Sequence, residues 1–294
     1  MERRGCHSGK YPVVGIRVRK HILAGAVLMA ALFVIPCGGA SARPAFPFAV
    51  FASGSDDFTV FGEMAAAMVY AKQFTPSFIY DRNSGRLLWD NKMPVPPAVK
   101  MKIPALLQMP ELPRGCEVTS LAMLLNSQGI QADKLNLAEQ IKKDPAPYQV
   151  KNGKIYYGNP NKGFVGQMDS CSAPGYGVYH GPAADLLNKY MPDMALDLTG
   201  CAFEDLFYYI TLDIPVWVII NTTYAPLPES AFITWNTDQG PVRITYREHS
   251  VLLTGYDETA VYFNDPLTGT AQAGRIAFAS AWVQMGRQAV TIMP

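Results

Sequence analysis

The scarcity of histidine limits the acid–base chemistry open to this chain. It has four histidines. His7 and His21 fall in a leading segment that reads as removable, leaving His180 and His249 as bases near neutral pH. Cys116 follows Gly115 at the predicted first turn of a helix, where partial positive charge favours thiolate over thiol. Gly115 lets a substrate approach the backbone closely. Taken alone, such a cysteine reads more readily as a small buried hydrophobe. His249 heads a predicted strand in Glu248-His249-Ser250-Val251-Leu252-Leu253, and Asp265 ends the next in Tyr262-Phe263-Asn264-Asp265-Pro266. A short hairpin between them sets the carboxylate beside the imidazole. There it can accept the Nδ1 proton, fix the tautomer and support the imidazolium. A packed core histidine and an Asx turn before Pro266 are the structural alternatives.

Order and spacing narrow the choice. His249 lies 133 positions after Cys116, within the roughly 130–150 that separates the cysteine and histidine of papain-like enzymes. Gln108, shortly before Cys116, offers a side-chain amide to a developing oxyanion. His180 is the rival base, in a glycine-rich loop just before Pro182 and a helix. No C-x-x-C or H-x-x-x-H pair is present, so a zinc site built from Cys116, Cys171, Cys201, His180 and His249 is not expected. The glycines of Gly175-Tyr176-Gly177 do not follow a strand as a nucleotide loop requires.

The elements that would carry these groups follow from hydrophobic spacing. Residues 43–60 read as a loose lead-in. A helix is expected over Phe61–Phe74 and a hairpin over Ser77–Tyr80 and Arg86–Trp89, turning at Asp81–Gly85. Pro94, Pro96 and Pro97 mark a linker. Cys116–Ser127 is the strongest helix, with Val118, Leu121, Ala122, Leu124 and Leu125 on one face and Gly129 beyond its end. Further helices are expected at Leu135–Lys142, Pro182–Tyr190 and Phe203–Leu212, with mostly loop between 144 and 180. Strands follow at Pro215–Thr222, Arg243–Tyr246, His249–Tyr256, Ala260–Asn264, Gly274–Phe278 and Gln288–Ile292, with a short helical break at Phe278–Gln284. Helices first and strands later predict an α+β fold, a helical half packed on an antiparallel β-sheet.

The chain's 294 residues, 49% hydrophobic and 17% charged, exclude a disordered polymer and suffice for a sizeable core. Residues 1–42 read as a signal peptide. Arg3, Arg4, Lys10, Arg17, Arg19 and Lys20 precede an apolar run from Ile22 to Ile35, and Ala40-Ser41-Ala42 offers a cleavage site. Retention as an N-terminal anchor is the alternative; Pro36 before Cys37 fits a lipoprotein poorly. Residues 43–100 then form a small helix-plus-hairpin unit with its Pro-rich linker, and 101–294 the main domain. The protein is expected to be exported, either secreted or associated with the cell envelope. Without residues 1–42 the totals of 25 basic and 24 acidic residues become 19 and 23. A net charge of −4 gives no electrostatic reason to seek nucleic acid or an anionic membrane. Of five cysteines, Cys116, Cys171 and Cys201 then remain. A Cys171–Cys201 disulfide and three reduced thiols are both open.

Several blocks of sequence resemble one family. Gln108–Gln128 (QMPELPRGCEVTSLAMLLNSQ) is similar to the nucleophile segment of the peptidase C39-like family of bacterial proteins. GYGVYHGPAADLL (175–187), PVWVIINT (215–222), EHSVLLTGYD (248–257) and VYFNDPLTG (261–269) resemble its later blocks in the same order. The resemblance implies a papain-like cysteine peptidase fold, with Cys116 as nucleophile, His249 as base, Asp265 as its orienting partner and Gln108 as oxyanion donor. It implies a thiol amide-bond hydrolase acting on a peptide or protein through an acyl-enzyme, with neither metal nor organic cofactor. Cys171 and Cys201 lie outside the matching blocks. The competing expectation is a non-catalytic peptide- or wall-binding module on the same scaffold. Bond specificity, hydrolysis versus acyl transfer, and oligomeric state are not readable from the sequence.

Overall fold

The structure is a computed structural model that describes residues 16–18, 44–53 and 57–294. Most of the expected signal segment therefore lies outside the described residues. Among those residues no helix is long and apolar enough to cross a membrane. The chain divides into two compact units, Met1–Lys92 and Met93–Pro294.

In the first unit, β1 (Ile16–Val18), β2 (Phe48–Ala52), β3 (Phe58–Phe61), β4 (Ser77–Asp81) and β5 (Leu87–Asp90) form one sheet in the order β1-β3-β2-β4-β5. Helix α1 (Met64–Ala71) buries Met64, Ala67, Met68 and Ala71. The expected loose lead-in is thus partly sheet. FAVFA and FTVF are β-rich runs, and their pairing outweighs the Ser, Gly and Asp residues between them. The helix is also shorter than its hydrophobic pattern suggested.

The second unit is α+β. Its elements are β6 (Val99–Lys100), α2 (Cys116–Ser127), α3 (Lys134–Gln140), β7 (Lys143–Asp144), β8 (Gln149–Lys151), β9 (Lys154–Tyr156), β10 (Phe164–Val165), α4 (His180–Tyr190), β11 (Ala195–Asp197), α5 (Leu206–Thr211), β12 (Val216–Asn221), β13 (Ile233–Thr237), β14 (Gly240–Ile244), β15 (Glu248–Tyr256), β16 (Ala260–Asp265), β17 (Gly269–Gly274), α6 (Arg275–Gln284) and β18 (Ala289–Ile292). The main antiparallel sheet runs β11-β18-β12-β15-β16-β17, and β6 pairs with the far end of β15. The stretch read as a linker therefore ends inside this sheet.

β12 and β15 are its centre. All six residues of β12 are buried, as are eight of the nine of β15. Such continuous burial requires cover on both faces. Helix α2 supplies part of it, with Val118, Leu121, Ala122, Leu124 and Leu125 all buried. Trp217 on β12 donates its indole N–H to the Glu117 carbonyl at 3.0 Å, which fixes the start of α2 against the sheet. A second sheet, β14-β13-β9-β8, closes over Trp235, Tyr157, Tyr176, Tyr179, Val165 and Ile244.

The strand expected at Gly274–Phe278 is instead the end of β17 followed by α6. GTAQAG alternates half-buried and exposed residues and carries little hydrophobic signal. The Ala-containing run after it buries Phe278, Ala281 and Trp282 at helical spacing.

Candidate active site

The first turn of α2 presents the cysteine. Gly115 is its N-cap; a Cβ there would lie 2.5 Å from the Leu112 Cβ, so the tight approach excludes any larger residue. Cys116 is 7% exposed. Its thiol donates to Glu117 Oε2 at 3.3 Å, and the Ser250 backbone N–H hydrogen-bonds the sulfur. Burial, then the charges of Glu117 and Glu248, push the thiol well above its ordinary range. The helix end is thus overruled by desolvation and two carboxyl groups. In this arrangement Cys116 is a neutral thiol.

β15 and β16 present the base and its partner. Their antiparallel register pairs Leu252 with Asn264, which brings the head of one strand beside the end of the other. His249 Nε2 lies 3.0 Å from Asp265 Oδ1, and the two side chains are 2% and 0% exposed. The ring nitrogen on the carboxylate is Nε2 rather than the expected Nδ1, so Nδ1 is the nitrogen left for a reacting group. Asp265 is held below the usual carboxylate range. Burial acts to raise it, but the hydrogen bond and charge of His249, the Tyr224 hydroxyl and the Leu267 N–H together outweigh burial.

Tyr224 was not singled out by its sequence. It follows β12 in a turn organised by Asn221, whose side-chain oxygen accepts from the Thr223 N–H and hydroxyl at 2.9 and 2.7 Å. Tyr224 has φ of 53°, a left-handed conformation unusual for an aromatic residue. Its hydroxyl donates to Asp265 Oδ2, and its ring lies 4.8 Å from that of Phe263. An Asn ending a strand before Thr-Thr is an Asx-turn signal; the backbone sign at Tyr224 is not legible from residue type.

Gln108 is buried and its amide is occupied. Nε2 donates to the Leu112 and Pro113 carbonyls at 3.1 and 2.9 Å, while Oε1 is buried without a protein partner. Two carbonyl acceptors require the NH2 end to face them. The Gln108 N–H donates to the Pro266 carbonyl at 2.8 Å. Gln108 therefore ties the loop before Cys116 to the residue after Asp265.

His180 is paired elsewhere. It is the first residue of α4, and its Nδ1 lies 2.6 Å from Asp197 Oδ2. With Tyr179, Thr199, Arg243 and Gln288 it lines a cavity of about 270 Å³. Cys171 is exposed and Cys201 buried, and they are not joined by a disulfide.

Glu117 and Glu248 complete the surroundings of the sulfur. Glu117 Oε1 accepts the Val178 N–H at 2.7 Å. Both carboxyls converge on Gly177, where a Cβ would lie 2.3 Å from Glu117 Oε1 and 2.8 Å from Glu248 Oε2. Burial pushes Glu117 up to about 7, against its own backbone N–H, that of Val178 and the Cys116 thiol. Burial, then the Glu117 charge, pushes Glu248 well above the usual range. Cys116, Glu117 and Glu248 each place a sulfur or carboxyl oxygen within 4.8 Å of the others. Residue type and spacing do not mark this pair, because each glutamate is simply the neighbour of a candidate catalytic residue.

The arrangement offers a thiol, a buried imidazole–carboxylate pair and an adjacent carboxyl pair, a set suited to proton transfer and nucleophilic attack. Comparison with known proteins agrees with the sequence blocks. Residues 95–290 match the Peptidase_C39 like family. The chain is 43% identical over 184 residues to the uncharacterized protein YvpB of Bacillus subtilis (strain 168), covering 62% of this chain and 70% of that one. It is similar to a crystal structure of a C39-like protein from Bacillus anthracis, with 47% identity and a TM-score of 0.62 over 67% of this chain and 98% of the other. The chain belongs to the peptidase C39-like family.

Proposed function

We propose that the protein is an exported cysteine peptidase, a thiol amide-bond hydrolase that acts on peptides or proteins. The observation that carries this reading is the buried His249–Asp265 pair at the head of β15, on the strand whose Ser250 N–H hydrogen-bonds the Cys116 sulfur. An imidazole fixed by a carboxylate, one residue before the Ser250 that meets the thiol at a helix start, has the parts of a nucleophile, a base and an orienting group. In the reaction, His249 Nδ1 takes the thiol proton and the sulfur bonds to the substrate carbonyl carbon. The backbone N–H groups at the start of α2 receive the oxyanion. Gln108 joins them only if its amide leaves the Leu112 and Pro113 carbonyls. The imidazolium then protonates the leaving amine, and water, activated by the neutral imidazole, releases the acyl group.

Export rests on the basic residues, apolar run and Ala-Ser-Ala of residues 1–42. Mass spectrometry of the exported protein should find Arg43 as its first residue.

The test of mechanism is alkylation of Cys116 at pH 5–6, where an ordinary thiol of pKa about 8.5 is nearly inert. Fast labelling that disappears in His249→Ala supports the triad, and Cys116→Ala should reduce peptide hydrolysis to background. Slow labelling that rises only near the ordinary thiol pKa in both proteins would sink the enzyme reading. It would favour a peptide- or wall-binding module instead.

A further inference from the structure

The two glutamates beside the sulfur have no assigned role, and their placement is specific. Glu117 directly follows the candidate nucleophile and Glu248 directly precedes the candidate base. One sits on α2 and the other on β15, yet their carboxyls meet at Gly177, which has no side chain to separate them. Two buried carboxyls this close cannot both be ionised at ordinary cost, so the pair retains a proton. No Lys or Arg forms an ion pair with either one among the described residues. The titratable groups that face the pair are Cys116 on α2 and the phenols of Tyr176 and Tyr179 on the segment before α4. His249, the neighbour of Glu248 on β15, is engaged with Asp265. Glu248 Oε1 is shielded from solvent without a protein partner.

We propose that Glu117 is a further catalytic residue. With Glu248 it forms a carboxyl pair that holds one proton at rest and takes up a second when Cys116 becomes a thiolate. The inference rests on Cys116 being the nucleophile, and it adds how that nucleophile is switched on. At rest Glu248 is the neutral acid, Glu117 is the carboxylate, and the Cys116 S–H donates to Glu117 Oε2 at 3.3 Å. A proton from solvent then neutralises Glu117. The thiol loses its acceptor, and its own proton passes to His249 Nδ1, giving thiolate and imidazolium. Glu117 now donates its O–H to the sulfur it formerly accepted from, alongside the Ser250 N–H. One proton has entered from solvent and one has moved from sulfur to nitrogen, and no electrons have changed hands. Glu117 thus touches the reacting atom in both states, as acceptor in one and donor in the other.

The test is the rate of Cys116 alkylation by a neutral reagent, iodoacetamide, between pH 5 and pH 9 in the full chain. A lone thiol slows roughly 100-fold from pH 8 to pH 6. Wild type should instead label faster at pH 6 than at pH 8. Glu117→Gln keeps an acceptor for the Val178 N–H and a permanent donor for the sulfur, so it mimics the protonated state. It should label about tenfold faster than wild type at pH 8, because a group titrating near 7 is about one-tenth protonated one unit higher. The two should coincide at pH 6. If Glu117→Gln reproduces the wild-type profile while His249→Ala still abolishes labelling, the carboxyl pair plays no part and the nucleophile assignment stands. If His249→Ala also labels like wild type, as an ordinary thiol, both fall. If Glu117→Gln does not fold, infrared spectroscopy of the wild type decides. One protonated-carboxyl band at pH 8 and a second growing at pH 6 support the pair; no such band at pH 8 overturns it.

Discussion

At the scale of single residues, the site is a set of hydrogen bonds whose members constrain each other. Asp265 receives His249 Nε2 at 3.0 Å, the Leu267 N–H at 2.5 Å and the Tyr224 hydroxyl. Tyr224 thus acts on the imidazole through Asp265. In Tyr224→Phe the ring keeps its contact with Phe263, but Asp265 loses a donor. Asp265 then holds the His249 ring less firmly, and turnover should fall about tenfold as the ring loses its fixed orientation. Turnover equal to that of wild type would show that Tyr224 only fills space. Gln108→Ala makes a separate point. It frees the Leu112 and Pro113 carbonyls and should cost about 1–3 kcal/mol of stability by chemical denaturation. A loss of activity with no loss of stability would restore the oxyanion role. Cys116 and His249 were legible in the sequence because scarce residue types stood at informative spacing, and Asp265 because it ends the strand that follows His249. Tyr224, Glu117 and Glu248 were not, because their meaning lies in a left-handed turn and a shared glycine.

At the scale of elements, β15 organises the unit. Its first part pairs with β12 from Glu248 to Leu253, and beyond a bulge at Leu253–Gly255 its last two residues pair with β6. Gly255 is required by that close approach, since a Cβ would lie 2.4 Å from the Val99 carbonyl oxygen. Tyr256, next along, donates its hydroxyl to the Pro96 carbonyl at 2.8 Å. Gly255→Ala must push β6 away. It should destabilise the fold by about 1–3 kcal/mol in urea titration, yet leave Cys116 labelling unchanged, because His249 sits at the opposite end of the strand. Equal midpoints for variant and wild type would mean that β6 is dispensable. The same strand shows why some elements were readable. An apolar run announced β12, the Val251-Leu252-Leu253 core marked β15, and the periodic face of α2 gave its bounds as Cys116–Ser127. β17 and the strand at Ile233–Thr237 carry polar or half-exposed residues, so their identity comes from pairing partners distant in sequence. The short strands between 144 and 180 were invisible for the same reason.

At the scale of the whole molecule, the buried carboxyls set the direction in which stability depends on pH. Glu117 is raised from 4.5 to about 7, and Glu248 well above its ordinary value. Between about pH 4.5 and 7 the native chain therefore binds protons that the unfolded chain has released. Stability present below the unfolded value is lost as pH rises through the folded one. Asp265 and Asp197 work the other way. Their folded values lie below the ordinary 3.8, so what they contribute is lost as pH falls below about 4. The two trends together place the maximum of thermal stability on the acid side, near pH 4–5.5, rather than at neutrality. The Glu117 shift alone corresponds to about 3 kcal/mol, and at roughly 2–4 °C per kcal/mol for a unit of this size the midpoint should fall by several degrees from pH 5 to pH 8. Glu117→Gln cannot ionise and should flatten most of that slope. A wild-type midpoint that is constant or rises between pH 5 and pH 8 would show that both carboxyls ionise freely in the folded protein. A buried like-charged pair would then have to be solvated, and no proton would be shared where the two carboxyls meet at Gly177.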